Sequence, residues 1–166
     1  RHIIGDAIEE AHRGRYDLLI GHPPCKYLSF AARKYWNLPG RAELREEATR
    51  FFFALWEAPI PHICLENPIG HICSLMKPTQ TVHPYFFGEA AKKRTCLWLK
   101  GLPPLYHSNR TDLFNTATHT APPAPVYVDK SGKARHFADS IAGNGRDAEI
   151  RRAVTFDSIA QAMAQQ

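Results

Sequence analysis

The sequence predicts an α/β fold, and three features of the chain support this. Short apolar runs bounded by glycine or proline have the length of buried strands. A longer segment at 40–57 repeats its apolar residues at helical spacing, and it separates the first two of these runs. Strands that alternate with helices are typical of a sheet with parallel members.

The first half of the chain contains the two strands that matter most. Residues 7–13 suit a short helix ahead of a buried strand at 17–21. The helix at 40–57 is ended by prolines, and a second buried strand at 60–65 runs into Glu66-Asn67-Pro68. Both strands are followed by loops at their carboxyl ends, where open α/β sheets place ligands and catalytic groups.

The second half is predicted to hold shorter elements and a long loop. The strands at 80–86 and 96–99 follow each other closely, so we expect an antiparallel pair at one sheet edge. Residues 102–140 are rich in Pro, Thr, Asn and His, which predicts a loop-rich insertion of a kind that is often functional. The remaining predicted elements are a short helix or turn at 69–76 and two terminal helices at 147–153 and 155–165.

The composition is that of one globular domain spanning residues 1–166, with 44% hydrophobic and 22% charged residues. No apolar run has membrane-spanning length and no signal-peptide pattern is present, so we expect no membrane association. The four cysteines form no CxxC pair, which favours reduced thiols and a cytoplasmic location. The first residues resemble the inside of a domain, so we expect the chain to start partway through a longer unit.

The charge balance favours a nucleic-acid partner. Lys and Arg total 21 against 16 Asp and Glu, which gives a net charge of +5. The isoelectric point near 9.1 agrees with that balance. A basic protein of this kind suits the phosphate backbone of DNA.

The stretch 17–29 carries the first candidate for chemistry. Its strand ends in a loop in which Cys25 follows Pro23 and Pro24 directly. A cysteine at such a strand end is a candidate nucleophile. The alternative is a small thiol that packs the end of the strand.

Glu66 gives this cysteine a chemical partner, because both residues follow predicted buried strands. A thiolate can attack an electron-poor carbon of a ring while a carboxyl group hydrogen-bonds to a ring nitrogen. Positive side chains favour the thiolate, and Lys26 and the 92–94 cluster are candidates for that role. The pattern therefore allows covalent catalysis on a heteroaromatic ring.

The same residues resemble the DNA cytosine-5 methyltransferases, in particular the small phage-type members of that family. Pro24-Cys25-Lys26-Tyr27-Leu28-Ser29 is similar to their nucleophile loop, and Ile63-Cys64-Leu65-Glu66-Asn67-Pro68 is similar to their strand ending in Glu-Asn-Val. Gly5-Asp6 resembles the motif whose acid contacts the cofactor adenine. Phe87-Gly88 followed by Lys93-Arg94 is a looser match to a later block.

The resemblance implies a mechanism in which Cys25 adds to C6 of a flipped cytosine while Glu66 holds N3. C5 would then take a methyl group from S-adenosylmethionine. Other roles implied by the resemblance are cofactor contacts from Asp6, Pro23 and Pro24, help with the base or loop from Arg94 or Lys93, and contacts to DNA or the loop from Asn67, Ser29 and Lys26.

The implied fold is a Rossmann-like class I methyltransferase sheet with helices on both faces, truncated at its N-terminal side. The family's glycine-rich cofactor loop should precede Gly5-Asp6, and the sequence has none there. We therefore expect the cofactor half to lie in a second chain or second copy, to have been cut from this chain, or to be lost. Residues 102–140 would form a reduced target-recognition region.

Several alternatives remain open from the sequence. Asp6 suits a helix N-cap as well as an adenine contact. The spacing of Cys64, Cys73 and the nearby histidines matches no common zinc site, so no metal is expected. His22-Pro23-Pro24 also resembles the loop of amino-group methyltransferases. The chain could further be a non-catalytic DNA-binding remnant, or an enzyme that modifies cytosine with a different donor.

Overall fold

The protein was analysed as a computed structural model that describes residues 2–109, 117–136 and 156–165. Its contacts divide the chain into two compact units. The first consists of Arg1–Thr81 with Thr95–Pro104, and the second of Val82–Arg94 with Leu105–Gln166. Each unit is described separately below. The predicted helix at 147–153 lies outside the described residues.

A four-stranded sheet organises the first unit, and its strand order is β1-β2-β4-β3. Strands β1 and β2 are parallel, with Leu18 opposite His62 and Gly21 opposite Leu65. Strand β4 is antiparallel to β2. The strands are β1 (Leu18–Gly21), β2 (His62–Pro68), β3 (Gln80–Val82) and β4 (Thr95–Lys100).

This mixed sheet confirms the predicted α/β class. Strands β3 and β4 are neighbours at one edge, as their closeness in the sequence predicts. The antiparallel strand β4 runs against β2 in the interior of the sheet, with Asn67 opposite Cys96 and Pro68 opposite Thr95.

Helices pack with the sheet into one apolar core in this unit. The longest, α2, has the apolar spacing that the sequence predicts and buries Phe52 and Leu55. The Phe52 ring meets the buried Trp98 of β4 edge to face, with ring centroids 5.1 Å apart. The helices are α1 (Ala7–Ala11), a 3-10 helix (Phe30–Tyr35), α2 (Arg41–Trp56) and α3 (Ile72–Leu75).

The bounds of strands β2 and β3 and the burial of strand β1 differ from the prediction. Strand β2 extends through Pro68 because its pairing with β4 continues past Leu65, so Glu66 lies in the strand and not after it. Strand β3 ends at Val82, since a 3-10 helix begins at Pro84. Strand β1 is not fully buried. It lies at the sheet edge, where Leu18 and Ile20 are 50% and 47% exposed.

The second unit combines a 3-10 helix (Pro84–Phe87), the strand pair β5 (Tyr127–Val128) and β6 (Ala134–Arg135), and helix α4 (Asp157–Ala164). Glu89 binds the first turn of α4, since its Oε2 atom accepts a hydrogen bond from the Ser158 amide over 3.2 Å. Phe86 stacks on both His107 and His119, with ring centroids 4.6 Å apart in each pair. The region predicted as a loop thus contains a short antiparallel hairpin in its described part.

Candidate active site

Strands β1 and β2 bring the two predicted catalytic motifs to the same edge of the sheet. Their register ends with Gly21 opposite Leu65, so the next residues, His22 and Glu66, continue side by side. The prediction that the two strands are parallel neighbours is therefore confirmed. The loop that carries Cys25 begins where β1 ends, directly beside the Glu66-Asn67-Pro68 end of β2.

A buried amide joins the cysteine loop to β2. Asn67 is 1% exposed, and its Nδ2 donates to the carbonyl oxygen of Pro23 over 2.8 Å. Only the amide nitrogen can donate to a carbonyl, so this bond fixes the orientation of the side chain. The Oδ1 atom of Asn67 is also buried, and within the described part of the chain it has no hydrogen-bond partner. Asn67 thus holds the loop at Pro23, two residues before Cys25.

Backbone bonds hold the same loop against the chain that leaves β2. The His71 amide donates to the Leu28 carbonyl over 2.7 Å, and the Phe30 amide donates to the Ile69 carbonyl over 3.2 Å. Ser29 and Gly70 form a bridge between these two bonds. A Cβ atom at Gly70 would lie 2.2 Å from the Leu28 carbonyl oxygen, so only glycine permits this approach.

Cys25 itself occupies a tight turn. The amides of Leu28 and Ser29 both donate to its carbonyl oxygen, at 3.1 and 2.9 Å. Its side chain is half-buried, and none of the chain's four cysteines, all of them in the described residues, forms a disulfide. The exposed Lys26 follows it directly and provides a positive charge in the same turn.

Cys64 is the second thiol on this part of β2, and it is chemically different. Burial raises the pKa of the Cys64 thiol to about 11, and the Glu66 carboxylate contributes to the rise. At neutral pH this thiol stays protonated, and a protonated thiol is a poor nucleophile. Cys64 is therefore a core residue, as its position in an apolar strand predicts.

Glu66 is bound by a residue that the sequence analysis did not place in this site. The Nδ1 atom of His22 lies 3.2 Å from the Glu66 Oε2 atom. The Glu66 side chain is 15% exposed, and the His22 side chain is 43% exposed. The register of β1 and β2 would have revealed this pair. Residues that directly follow a paired position on two neighbouring parallel strands lie side by side.

Three predicted site residues have structural roles in the fold. Asp6 caps α1, and its Oδ1 accepts from the amides of Ile8 and Glu9 at 2.8 and 3.0 Å. Ser29 caps the first 3-10 helix by accepting from the Ala31 amide over 3.1 Å. Pro23 is buried and provides the carbonyl bound by Asn67, while Pro24 is exposed.

Lys93 and Arg94 belong to the second unit, and their roles beside the base remain predictions. The Lys93 ammonium lies 5.8 Å from the centre of the Phe156 ring. Burial lowers the pKa of His83, and the charges of Arg94 and Lys92 lower it further. Arg94 is exposed and thus carries its charge at the surface of that unit.

A groove beside Asp6 lies along β1 and has a volume of about 360 Å³. This Asp6 groove is lined mainly by apolar side chains, with the Gly5-Asp6 segment in its wall. The volume falls in the range of about 300–1,000 Å³ that is usual for small-molecule sites. Its lining residues include Ile3, Ala7, Tyr16, Leu18, Ile20 and Ile60.

The described residues hold neither a candidate metal site nor a candidate membrane span. No group of three or more described His, Cys, Asp or Glu side chains could hold a metal ion. No helix in the described ranges is long and apolar enough to cross a membrane. In comparisons with known proteins, neither a protein-family model nor a curated protein matches this chain.

Proposed function

We propose that this chain carries the base-side chemistry of a DNA cytosine-5 methyltransferase, on a sheet of the class I methyltransferase type. One observation carries the proposal. The Asn67 amide holds the Pro23 carbonyl, which ties the Cys25 loop to the strand that bears Glu66. A nucleophile and a carboxyl group are thereby kept at one edge of the sheet. The net charge of +5 favours a DNA substrate.

In the proposed reaction the Cys25 thiolate attacks C6 of a cytosine that has left the base stack. A bond forms between sulfur and C6, and the electron pair of the C5–C6 double bond is delocalised through C4 towards N3. Glu66 gives a proton to N3, so the ring remains neutral and C5 becomes nucleophilic. After C5 has been modified, it loses its proton to solvent. The sulfur then leaves as thiolate, the C5–C6 double bond returns, and N3 gives its proton back to the Glu66 carboxylate, so that both catalytic groups regain their starting states.

S-adenosylmethionine is the proposed cofactor, and it would supply a methyl group as the electrophile. The Asp6 groove suits an adenine ring, because apolar side chains line it and an acidic residue lies in its wall. One carboxylate oxygen of Asp6 accepts two amide bonds from α1, which fixes the position of this acid. Within the described residues the groove offers no glycine-rich turn for the rest of the cofactor, so the fit extends to the adenine end alone.

The proposal is tested by trapping. Duplex DNA containing 5-fluorocytosine is incubated with the protein and S-adenosylmethionine, together with the cofactor-binding half where that half lies in a second chain. The covalent complex is quantified on a denaturing gel. The fluorine cannot leave as a cation, so the adduct at C6 persists. We expect a complex with the wild-type chain and none with Cys25→Ala. Cys73→Ala is the matched control, because this thiol is also half-buried and lies outside the proposed site.

Two results would contradict the proposal. Absence of any complex with wild-type protein is one, and a complex that survives Cys25→Ala is the other. DNA binding that weakens steeply with salt and is unchanged by Cys25→Ala would then favour a non-catalytic DNA-binding protein. Mass analysis of the treated DNA would reveal transfer of a group other than methyl.

A further inference from the structure

His22 contacts Glu66 directly after the end of β1. Strand register places the two residues side by side, and Nδ1 lies 3.2 Å from Oε2. The carboxyl group is mostly shielded from water at 15% exposure, whereas the ring is 43% exposed. Because a shielded carboxyl group has few water partners, its hydrogen bond to the protein has a strong influence on its two oxygens.

The chemistry of N3 protonation restricts how this contact can work. A carboxylic acid has one hydroxyl oxygen that donates and one carbonyl oxygen that accepts. If His22 donates from Nδ1 to Oε2, then Oε2 is the accepting oxygen and the acidic proton stays on Oε1. That arrangement requires a neutral ring with its proton on Nδ1. A charged imidazolium would instead hold Glu66 as a carboxylate, which has no proton to give.

We propose that His22 is a positioning residue for Glu66, which keeps the proton of Glu66 on the oxygen that faces the base. The inference rests on the proposed function. When Oε1 gives its proton to N3, the bonding pair remains on Oε1 and the His22 proton remains on Nδ1. The hydrogen bond then has a charged acceptor and strengthens, so His22 stabilises the state after proton transfer more than the state before it.

The segments that carry His22 and Glu66 also hold other groups that can bind or release protons. Glu66 is in contact with the His22 ring, while Cys25 and Lys26 lie further along the cysteine loop and Cys64 lies two residues before Glu66 on β2. Burial raises the pKa of Cys64 to about 11, so this thiol does not change charge near neutrality. Lysine is likewise charged across this range. Histidine is the residue type that changes charge between pH 5 and 8.

The test measures the rate of complex formation with 5-fluorocytosine DNA from pH 5.5 to 8.5 for wild type, His22→Asn and His22→Ala. The amide nitrogen of asparagine takes about the place of Nδ1 and donates without titrating. We expect His22→Asn to keep a rate within about threefold of wild type at pH 8 and to lose less rate in acid. His22→Ala should be about 10- to 100-fold slower, as expected for loss of one hydrogen bond to a charged group.

Two outcomes of the rate measurement would overturn the inference. One is a His22→Ala rate equal to that of wild type. The other is a His22→Asn rate as low as that of His22→Ala, with the same pH profile as wild type. Thermal unfolding of each variant shows whether a lost rate reflects a lost fold.

A second readout does not depend on activity. Nitrogen-15 NMR of histidine-labelled protein reports which ring nitrogen of His22 carries the proton. We expect Nδ1–H in the wild-type protein and a changed Nδ1 resonance in Glu66→Gln. A ring protonated on Nε2 would overturn the inference whether or not the covalent complex forms. If wild type traps no DNA while Nδ1–H is observed, the proposed function fails and the role of His22 in proton transfer fails with it.

Discussion

The strand-end site, formed by residues 22–30 and 66–71, differs sharply from the Asp6 groove on the same unit. Side-chain and backbone bonds tie the two segments of the strand-end site to each other. The groove, in contrast, exposes half of Leu18 and nearly half of Ile20. Exposed apolar surface of this kind is where proteins bind ligands or partners. The bonds within the chain thus fix the strand-end site, while the Asp6 groove retains exposed apolar surface.

The largest expected effect is a difference in stability between a substitution in β2 and a substitution in β1. Leu65 is fully buried, and Leu65→Ala should lower the free energy of unfolding by about 2–5 kcal/mol because a cavity replaces the side chain. Leu18→Ala should cost about 1 kcal/mol or less, since half of Leu18 already contacts solvent. Urea unfolding followed by circular dichroism measures both. Equal losses would show that the edge of β1 is covered in solution.

Gly70 tests the backbone junction within the strand-end site. Gly70→Ala places a Cβ atom 2.2 Å from the Leu28 carbonyl oxygen, so one of the two segments must move. We expect a loss of about 1–3 kcal/mol in urea unfolding. The matched control is Gly5→Ala in the groove wall, where nothing lies within 4 Å of the added carbon. The control should change stability by less than about 0.5 kcal/mol, and a tolerated Gly70→Ala would refute the tight junction.

Two substitutions at Asp6 distinguish its role as a helix cap from its proposed contact with the cofactor. Asp6→Ala removes the acceptor for two amides of α1 and should cost about 1 kcal/mol in thermal or urea unfolding. Asp6→Asn keeps a good N-cap, so its stability should stay close to wild type. If Asp6→Asn also leaves S-adenosylhomocysteine binding by calorimetry unchanged, the carboxylate charge has no part in the cofactor site.

The smallest expected effect is a pH dependence that arises in the strand-end site. Burial and then Arg45 lower the pKa of His71 in the folded protein. In the unfolded chain the ordinary value is about 6.5. Below that pH the unfolded chain takes up a proton before the folded protein does, so the free energy of unfolding decreases as the pH falls. Above that pH, the contribution of His71 to the free energy of unfolding is fully present.

Unfolding measured between pH 5 and 8 checks this prediction. His71→Gln should flatten the slope in this range, and Arg45→Gln should reduce the slope by a smaller amount because burial remains. The residues that line the Asp6 groove include no histidine, so acid should act on the strand-end site first. An identical slope in His71→Gln would contradict the assignment.

The sequence predicted the parallel neighbours β1 and β2 because local signals determine that part of the fold. Apolar runs, breakers and the spacing of α2 are properties of the chain itself. From these, the proximity of the Cys25 loop to Glu66 follows without any knowledge of side-chain contacts. The catalytic roles of both residues, and those of Lys93 and Arg94, stay predictions.

What the sequence did not predict depends on neighbours that are distant in the chain. Strand β2 continues through Asn67 and Pro68 only because β4 pairs with them, against the ordinary preference of these residues for turns. The exposure of Ile20 follows from the edge position of β1, which an apolar run cannot reveal. The His22–Glu66 contact likewise requires the strand register and not only the strands.

The junction at Gly70 also bears on how this loop can change during evolution. Amide and carbonyl groups of residues 28–30 and 69–71 make its bonds, and these groups are common to nearly every amino acid. Exposed side chains along the loop, such as that of Phe30, can therefore diverge while Cys25 keeps its position, whereas Leu28 is held by the core. Position 70 cannot, because only glycine fits there. Among relatives of this chain we expect a variable loop facing an unvarying glycine, a pattern that sequencing of further members would reveal.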